Sequence, residues 1–301
     1  MFIVLNFPDI LTMILRTTLW CESIDGMQVL DGRELAGFIK ERQAKQVRAL
    51  RQSWKVVPKF AIIKTKNDPV IDTYIRIKRQ YAADILVESD MHSVPQDEIL
   101  ELIEKLNSDP DIHGIIVQLP LDNPAESDEI LNSVAPEKDI DGLGEGATFD
   151  SATAMAINWL FGGYGVELKG KPIAIIGHGR LVGAPLARMW RASNYNVTVF
   201  DSKTSDLDKK LRNFEIIVSA TGVPRLIKSS MISESTVVID AGTASDGGVL
   251  VGDLEDDILS RQDLTIAPSK GGVGPLTVAA LIDNVITAAR KVADQKGQQD
   301  L

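Results

Sequence analysis

At 301 residues, the chain is long enough for one large or two ordinary domains with a sizeable core. Its formal net charge of −10, with no long basic patch, argues against a phosphate-backbone partner such as nucleic acid. Cys21 is the single cysteine, which excludes an internal disulfide framework and a cysteine-rich metal site and fits a reducing cytoplasm.

The first 26 residues hold two apolar runs, Phe2 to Leu5 and Ile10 to Leu15, interrupted by Asp9 and Arg16. The stretch is too short and broken for a spanning helix, and it lacks the basic start and cleavage site of a secretory signal. It reads as an extension ahead of a domain start at Met27, or as an arm packing on the domain or a partner. Asp31 to Gln52 has helical periodicity, and Lys59 to Ile63 is a short apolar strand. Asp72 to Ala83 and Gln96 to Leu106 read as helices, and Ile112 to Gln118 as an apolar strand running up to Pro120. Glycines and charges mark Pro136 to Gly146 as a loop, and Met155 to Phe161 as a helix joining two domains. Further strands are expected at Ile173 to Ile176, Val197 to Phe200, Ile216 to Ser219, Val237 to Asp240 and Leu264 to Ile266, before a last helix at Val278 to Val292. This alternation predicts an α/β protein of two lobes split near residue 148 with a cleft between them, the C-terminal lobe a Rossmann-type parallel sheet. No internal repeat or low-complexity linker appears.

The strongest local signal lies after the Ile173 to Ile176 strand. Gly177, Gly179 and Gly183 stand in a G-x-G-x-x-x-G spacing, and a helical pattern follows. Glycines at such a turn let a backbone approach a ligand closely, and a helix start offers unpaired N–H groups to an anion. Asp201, about 20 residues further on, ends the next strand, where a dinucleotide fold holds the adenosine ribose. The triplet alone is a loose match, equally at home in a plain βα turn; the strand, helix and acid around it favour a dinucleotide site.

Elsewhere the chemistry is carried by pairs. Tyr74 and Lys78 are four apart on a predicted helix and share a face. A desolvated lysine beside an aromatic ring transfers protons near neutrality, but an ordinary solvated helix lysine is the commoner case. Gln118 ends an apolar strand, where open α/β sheets bind ligands, or it caps local backbone. Lys138-Asp-Ile-Asp-Gly142 offers a carboxylate to a substrate, or is an Asp-Gly turn. Lys270-Gly-Gly-Val-Gly-Pro-Leu-Thr277 wraps a ligand, or is a tight entry to the last helix. His92, His113 and His178 are scattered and form no metal motif, so no metal is expected; neither a Ser–His–Asp set nor a Walker pattern is present.

In order along the chain, Tyr74-Ile-Arg-Ile-Lys78, Gly114-Ile-Ile-Val-Gln-Leu-Pro-Leu121, Lys138-Asp-Ile-Asp-Gly142, Val182-Gly-Ala-Pro185 and Gly271-Gly-Val-Gly-Pro-Leu-Thr277 resemble the bifunctional methylenetetrahydrofolate dehydrogenase/methenyltetrahydrofolate cyclohydrolase family. The resemblance runs from about Met27 to about Arg290. It implies oxidation of 5,10-methylenetetrahydrofolate with NAD or NADP, then hydrolysis of the methenyl product to 10-formyltetrahydrofolate, by a homodimer in the cytoplasm. It implies a folate-binding catalytic domain at 27–148, completed by a C-terminal helix at 276–294, and a dinucleotide-binding domain at 149–275. By resemblance Lys78 is the catalytic lysine, Gln118 its hydrogen-bond partner, Tyr74 a stacking surface for folate and Asp141 the pterin anchor. Leu119, Pro120, Gly274, Pro275 and Thr277 would line the folate site. Gly177, His178, Gly179, Arg180, Gly183, Asp201, Ser202, Thr221 and Gly222 would hold the dinucleotide.

Several positions depart from the family pattern. Ile71 replaces a serine three residues before the tyrosine, and Ser151-Ala-Thr-Ala154 keeps only Thr153 of a Pro-Cys-Thr-Pro segment. Pro268-Ser-Lys-Gly-Gly272 replaces Pro-Val-Pro-Gly-Gly, His178 stands where an arginine often serves a 2′-phosphate, and Asp201 replaces a histidine. The last two favour NAD over NADP. The alternatives to a folate enzyme are a folate- or nucleotide-binding homologue without catalysis, and a dehydrogenase acting on another small substrate.

Overall fold

The computed structural model describes residues 28–246 and 249–299. The extension expected at residues 1–26 lies outside them. In chain order the helices and strands are β1 (Gln28–Val29), α1 (Gly32–Ser53), β2 (Lys59–Lys64), α2 (Pro69–Asp84), β3 (Glu88–Ser93), α3 (Ile99–Ser108), β4 (Gly114–Val117), α4 (Ser127–Asn132), α5 (Ala152–Gly163), β5 (Pro172–Ile176), α6 (Gly183–Ala192), β6 (Asn196–Phe200), α7 (Leu207–Lys210), β7 (Ile216–Ser219), β8 (Val237–Asp240), β9 (Ala244–Asp246), β10 (Val249–Val251), β11 (Thr265–Ala267) and α8 (Val273–Gln299). The chain forms two compact units, one of Ala36–Met155 with Thr277–Leu301, the other of Ala156–Leu276 with the residues up to Leu35. Among the described residues no helix is long and apolar enough to cross a membrane.

The first unit holds a parallel sheet in the order β3-β2-β4. Strand β4 is buried along its length and β2 almost so, as a parallel sheet covered on its faces requires. Ile99, Ile103 and Leu106 of α3 pack there with Ala61, Ile63, Ile115 and Val117 of the sheet. Strand β3, Glu-Ser-Asp-Met-His-Ser, was not expected, because it has no apolar run. It is an edge strand paired only to β2, so its polar side chains can face water. Helix α2 begins three residues before the expected start. The Asp68 carboxylate caps it, accepting from the N–H of Val70 at 2.7 Å and of Ile71 at 3.3 Å, with Pro69 in the first turn. Ile71, Ile75 and Ala82 form its buried face, so the Ile71 departure is a core residue here. Helix α8 is tied into the unit by buried polar groups. Gln43 Nε2 donates to the Ala279 carbonyl at 2.8 Å, and Asn284 Nδ2 donates to the Ile140 carbonyl at 2.8 Å.

The second unit holds six parallel strands in the order β1-β11-β8-β7-β5-β6. The chain passes from β5 to β6 on one side and then crosses to β7 on the other. The strand order therefore reverses at the carboxyl ends of β5 and β7, the crevice where open α/β sheets bind ligands. Ala174, Ile176, Ile217, Val238 and Ile266 supply its core from successive strands.

Candidate functional site

Gln118 is the first residue past β4. Its N–H donates to the Ile63 carbonyl at 2.8 Å, which places it at the carboxyl end of the first unit's sheet. Its side-chain Nε2 donates to the Leu119 carbonyl at 3.0 Å, and this turns Oε1 outward. Oε1 accepts from Lys78 Nζ at 3.1 Å, a contact between residues 40 apart in sequence. Lys78 is half-buried, and Tyr74, one turn earlier on α2, is 37 % exposed. Lys78 is thus not the solvated helix lysine its segment alone favours. Leu119 is half-buried and Pro120, across a cis peptide bond, is exposed. A depression of about 450 Å³ lined by Asp72, Arg76, Arg79 and Met91 includes neither Lys78 nor Gln118, so we give it no part in the site.

A second polar pair at this end of the sheet was missed. Lys64 ends β2, is buried, and places Nζ 2.5 Å from Asp72 Oδ1 on α2. The only sequence signal is a lysine closing an apolar strand, which does not identify its partner.

In Lys138-Asp-Ile-Asp-Gly142 the two aspartates differ. Asp139 is buried and accepts from the N–H groups of Gly142 at 3.0 Å, Leu143 at 3.0 Å and Gly144 at 2.7 Å. Burial pushes its carboxyl above the usual range; the Gly144 N–H opposes the rise, and the charge of Asp141 adds to it. Gly142 has φ +67, and a Cβ there would lie 2.7 Å from the Phe149 carbonyl oxygen, so the turn admits only glycine. Asp139 shapes this loop, and Asp141 is left half-buried beside it.

Gly274, Pro275 and Thr277 were expected ahead of the last helix. They lie within its opening turns instead, because α8 begins at Val273. Gly274 is exposed, Pro275 and Thr277 half-buried.

In the second unit the glycine turn leaves β5. Gly177 has φ +96, and a Cβ there would lie 2.4 Å from the Ala220 carbonyl oxygen. A Cβ on Gly183, the first residue of α6, would lie 1.9 Å from the Gly177 carbonyl oxygen. These two glycines let strand, turn and helix close on one another. Gly179 is different, since its Cβ would meet nothing within 4 Å. His178, Gly179 and Arg180 are exposed. Asp201 follows β6 directly, and its Oδ1 accepts from the Lys203 N–H at 3.0 Å and the Thr204 hydroxyl at 3.3 Å; Ser202 beside it is exposed. Thr221 and Gly222 follow β7, and Gly222 has φ +68. The Thr221 N–H and hydroxyl are both committed to the buried Asp253, at 2.7 and 2.9 Å.

Comparison with known proteins matches residues 30–141 to the catalytic domain of tetrahydrofolate dehydrogenase/cyclohydrolase and residues 151–293 to its NAD(P)-binding domain. This chain belongs to the tetrahydrofolate dehydrogenase/cyclohydrolase family. That is the family of the bifunctional enzymes of one-carbon folate metabolism. The bifunctional protein FolD 2 of Geobacter metallireducens is 35 % identical over 281 residues, covering 88 % of this chain and 98 % of the relative. The bifunctional protein FolD of Lactobacillus acidophilus is 36 % identical over 277 residues, with the same coverage of each. Among solved structures, the Campylobacter jejuni FolD methylenetetrahydrofolate dehydrogenase/cyclohydrolase has a TM-score of 0.83 and 32 % identity, covering 88 % of this chain and 99 % of that one. The Trypanosoma brucei FolD, solved with NADP cofactor and an inhibitor, has a TM-score of 0.83 and 30 % identity, covering 88 % and 98 %.

The second unit's turn fits the NAD(P) that this family uses. The turn stands at the switch point, the surface over Gly179 is open, and α6 begins directly behind it.

Proposed function

We infer that this chain oxidises 5,10-methylenetetrahydrofolate to the methenyl form and hydrolyses that product to 10-formyltetrahydrofolate, with Lys78 and Gln118 as the proton-handling pair. The observation that carries this reading is the 3.1 Å bond from Lys78 Nζ to Gln118 Oε1 at the carboxyl end of the first sheet. In the hydrolysis, water adds to the cationic methenyl carbon and gives up a proton. The bond from that carbon to N5 then breaks as N5 takes a proton and the added hydroxyl loses its own to solvent, so the formyl group stays on N10 and one proton is released overall. Lys78 in its amine form accepts the proton from the water and returns one to N5. Gln118 suits this because its oxygen accepts a hydrogen bond from either the ammonium or the amine, so Nζ keeps its place through the cycle. Tyr74 offers a ring face to the pterin, and Asp141 an acceptor for its N–H groups. Leu119 and Pro120, next to Gln118 at the same end of the sheet, add folate contacts.

Gly177, His178, Gly179, Arg180 and Gly183 with Asp201, Ser202, Thr221 and Gly222 would hold NAD(P), which would supply the acceptor for a hydride from the methylene carbon. The preference we assign is for NAD. Asp201 is exposed at the end of β6 with its carboxylate pinned in a local turn, and it would meet a 2′-phosphate as a like charge. A homodimer rests on the family resemblance, and sedimentation equilibrium measures it directly.

The deciding experiment is Lys78→Met. Methenyl hydrolysis should fall at least ~100-fold, the low end of what proton transfer by a positioned side chain contributes, while circular dichroism stays unchanged. Near-wild-type hydrolysis in a folded Lys78→Met protein would remove Lys78 from the mechanism.

A further inference from the structure

We propose that Asp253 is the positioning residue for the dinucleotide loop after β7, setting cofactor affinity without touching the cofactor. The proposal rests on the NAD(P)-binding reading of the second unit and adds a residue that neither motif nor resemblance singled out. Asp253 is fully buried, and one carboxylate oxygen takes the whole load. Its Oδ2 accepts from Ser219 Oγ at 2.7 Å, the Thr221 N–H at 2.7 Å and Thr221 Oγ1 at 2.9 Å. Thr221 Oγ1 in turn accepts from the Val223 N–H at 3.1 Å. The loop that turns through the positive φ of Gly222 is therefore anchored at its base by one buried anion.

The place of this loop gives the anchor its consequence. Strands β5 and β7 are neighbours, and the Ala220 N–H donates to the Ile176 carbonyl at 2.8 Å. The Ala220 carbonyl oxygen closes against Gly177, the first glycine of the dinucleotide turn. Moving Thr221 would move the wall of the switch-point crevice. With its N–H and hydroxyl committed to Asp253, Thr221 holds the exposed Gly222 in place without offering either group to a ligand.

Asp253 is itself held from behind. Its N–H donates to Asp240 Oδ1 at 3.1 Å, and the Leu254 N–H donates to Asp240 Oδ2 at 3.3 Å. Asp253 Oδ1 is buried without a hydrogen-bond partner and lies over Gly242, where a Cβ would come within 2.0 Å of it. A fold needing only to fill this space has cheaper solutions than an acid with an unsatisfied oxygen. The second oxygen explains the acid, because charge-assisted bonds to three loop and strand donors hold more firmly than neutral ones.

The experiment is calorimetric titration of NAD and NADP into the full chain and its Asp253→Ala, Asp253→Asn, Thr221→Val and Ser219→Ala variants. Steady-state kinetics of both reactions accompany it. Asp253→Ala should raise the Kd and KM for the preferred dinucleotide tenfold or more, while kcat at saturation changes less than threefold. Asp253→Asn, which keeps one acceptor oxygen, should fall between Ala and wild type. Hydrolysis of methenyltetrahydrofolate, which uses no dinucleotide, should stay within twofold of wild type. Thr221→Val, which breaks a loop bond, should raise Kd at least threefold. Ser219→Ala, which removes the strand's bond to Asp253 but leaves both Thr221 bonds, should change it less than twofold. An Asp253→Ala protein that folds and binds dinucleotide within twofold of wild type overturns the proposal. If both Asp253 variants fail to fold, Thr221→Val with an unchanged Kd overturns it. If the wild type itself binds neither NAD nor NADP, the cofactor reading fails first, and the two failures are distinguished.

Discussion

Asp240 makes a quantitative prediction about stability and pH. Asp240 is 4 % exposed at the end of β8, and burial pushes its pKa up to about 6. The N–H groups of Asp253, Leu254 and Gly242 pull the value down, and the charge of the Asp253 carboxylate adds to the rise. In an unfolded chain the group returns to an aspartate value of ~3.9. The folded state therefore binds the extra proton, and the stability due to protonated Asp240 is fully present below pH ~4 and lost as pH rises through about 6. A rise of about two pH units is worth about 3 kcal/mol, of which about 2 kcal/mol falls between pH ~4.5 and ~7.5. The perturbation is Asp240→Asn, which keeps shape and one acceptor but cannot ionise. Other carboxylates titrate equally in both proteins, so the quantity to read is the difference in unfolding free energy between variant and wild type. Urea unfolding read by hydrogen-exchange mass spectrometry on peptides from β7 and β8 assigns that free energy to the correct unit. The variant should gain about 2 kcal/mol on wild type from pH ~4.5 to ~7.5, on top of a constant offset from its altered hydrogen bonds. A difference flat to within about 0.5 kcal/mol over that range would refute the burial argument.

Gln118→Ala removes the acceptor for Lys78 and should lower methenyl hydrolysis about 10- to 100-fold, the cost of one hydrogen bond to a charged group, with folate binding changed less. Asp201→Ser should raise kcat/KM for NADP relative to NAD at least ~10-fold, because a like-charge pair at ~4 Å in an effective dielectric of ~20 is worth about 4 kcal/mol before screening; a wild type that prefers NADP refutes the assignment. Gly183→Ala drives a Cβ into the Gly177 carbonyl oxygen and should cost at least ~2 kcal/mol of stability along with dinucleotide binding, read by denaturation and calorimetry. Asp139→Ala leaves the N–H groups of Gly142, Leu143 and Gly144 without their acceptor and should destabilise the first unit by about 3 kcal/mol, with faster hydrogen exchange at those amides.

Much of the architecture was legible because it is encoded in local periodicity. Ile216 to Ser219 and Val237 to Asp240 are continuous apolar runs between turns, and both are strands with the expected bounds. The glycines after β5 were legible because backbone geometry at a tight turn tolerates little else, and Gly177 and Gly183 prove sterically obligatory. Strand β3 was not legible, since a six-residue polar edge strand carries no apolar signature and exists only because β2 offers it hydrogen bonds. The same holds for the polar residues that matter most. Lys78 read alone is an ordinary helix lysine and Gln118 is as readily a backbone cap as a ligand group, and only closure of the chain brings them to 3.1 Å. In Lys138 to Gly142 two aspartates stand two apart with identical local chemistry, and burial against three backbone N–H groups makes Asp139 structural and leaves Asp141 half-buried beside it. Asp240, which closes an expected strand, and Asp253, which no motif singles out, are both buried in the fold. Apolar periodicity is a property of neighbours along the chain, so a sequence carries it openly. The partner of a buried charge is set by which distant segments share its space, and that is decided only when the sheet assembles.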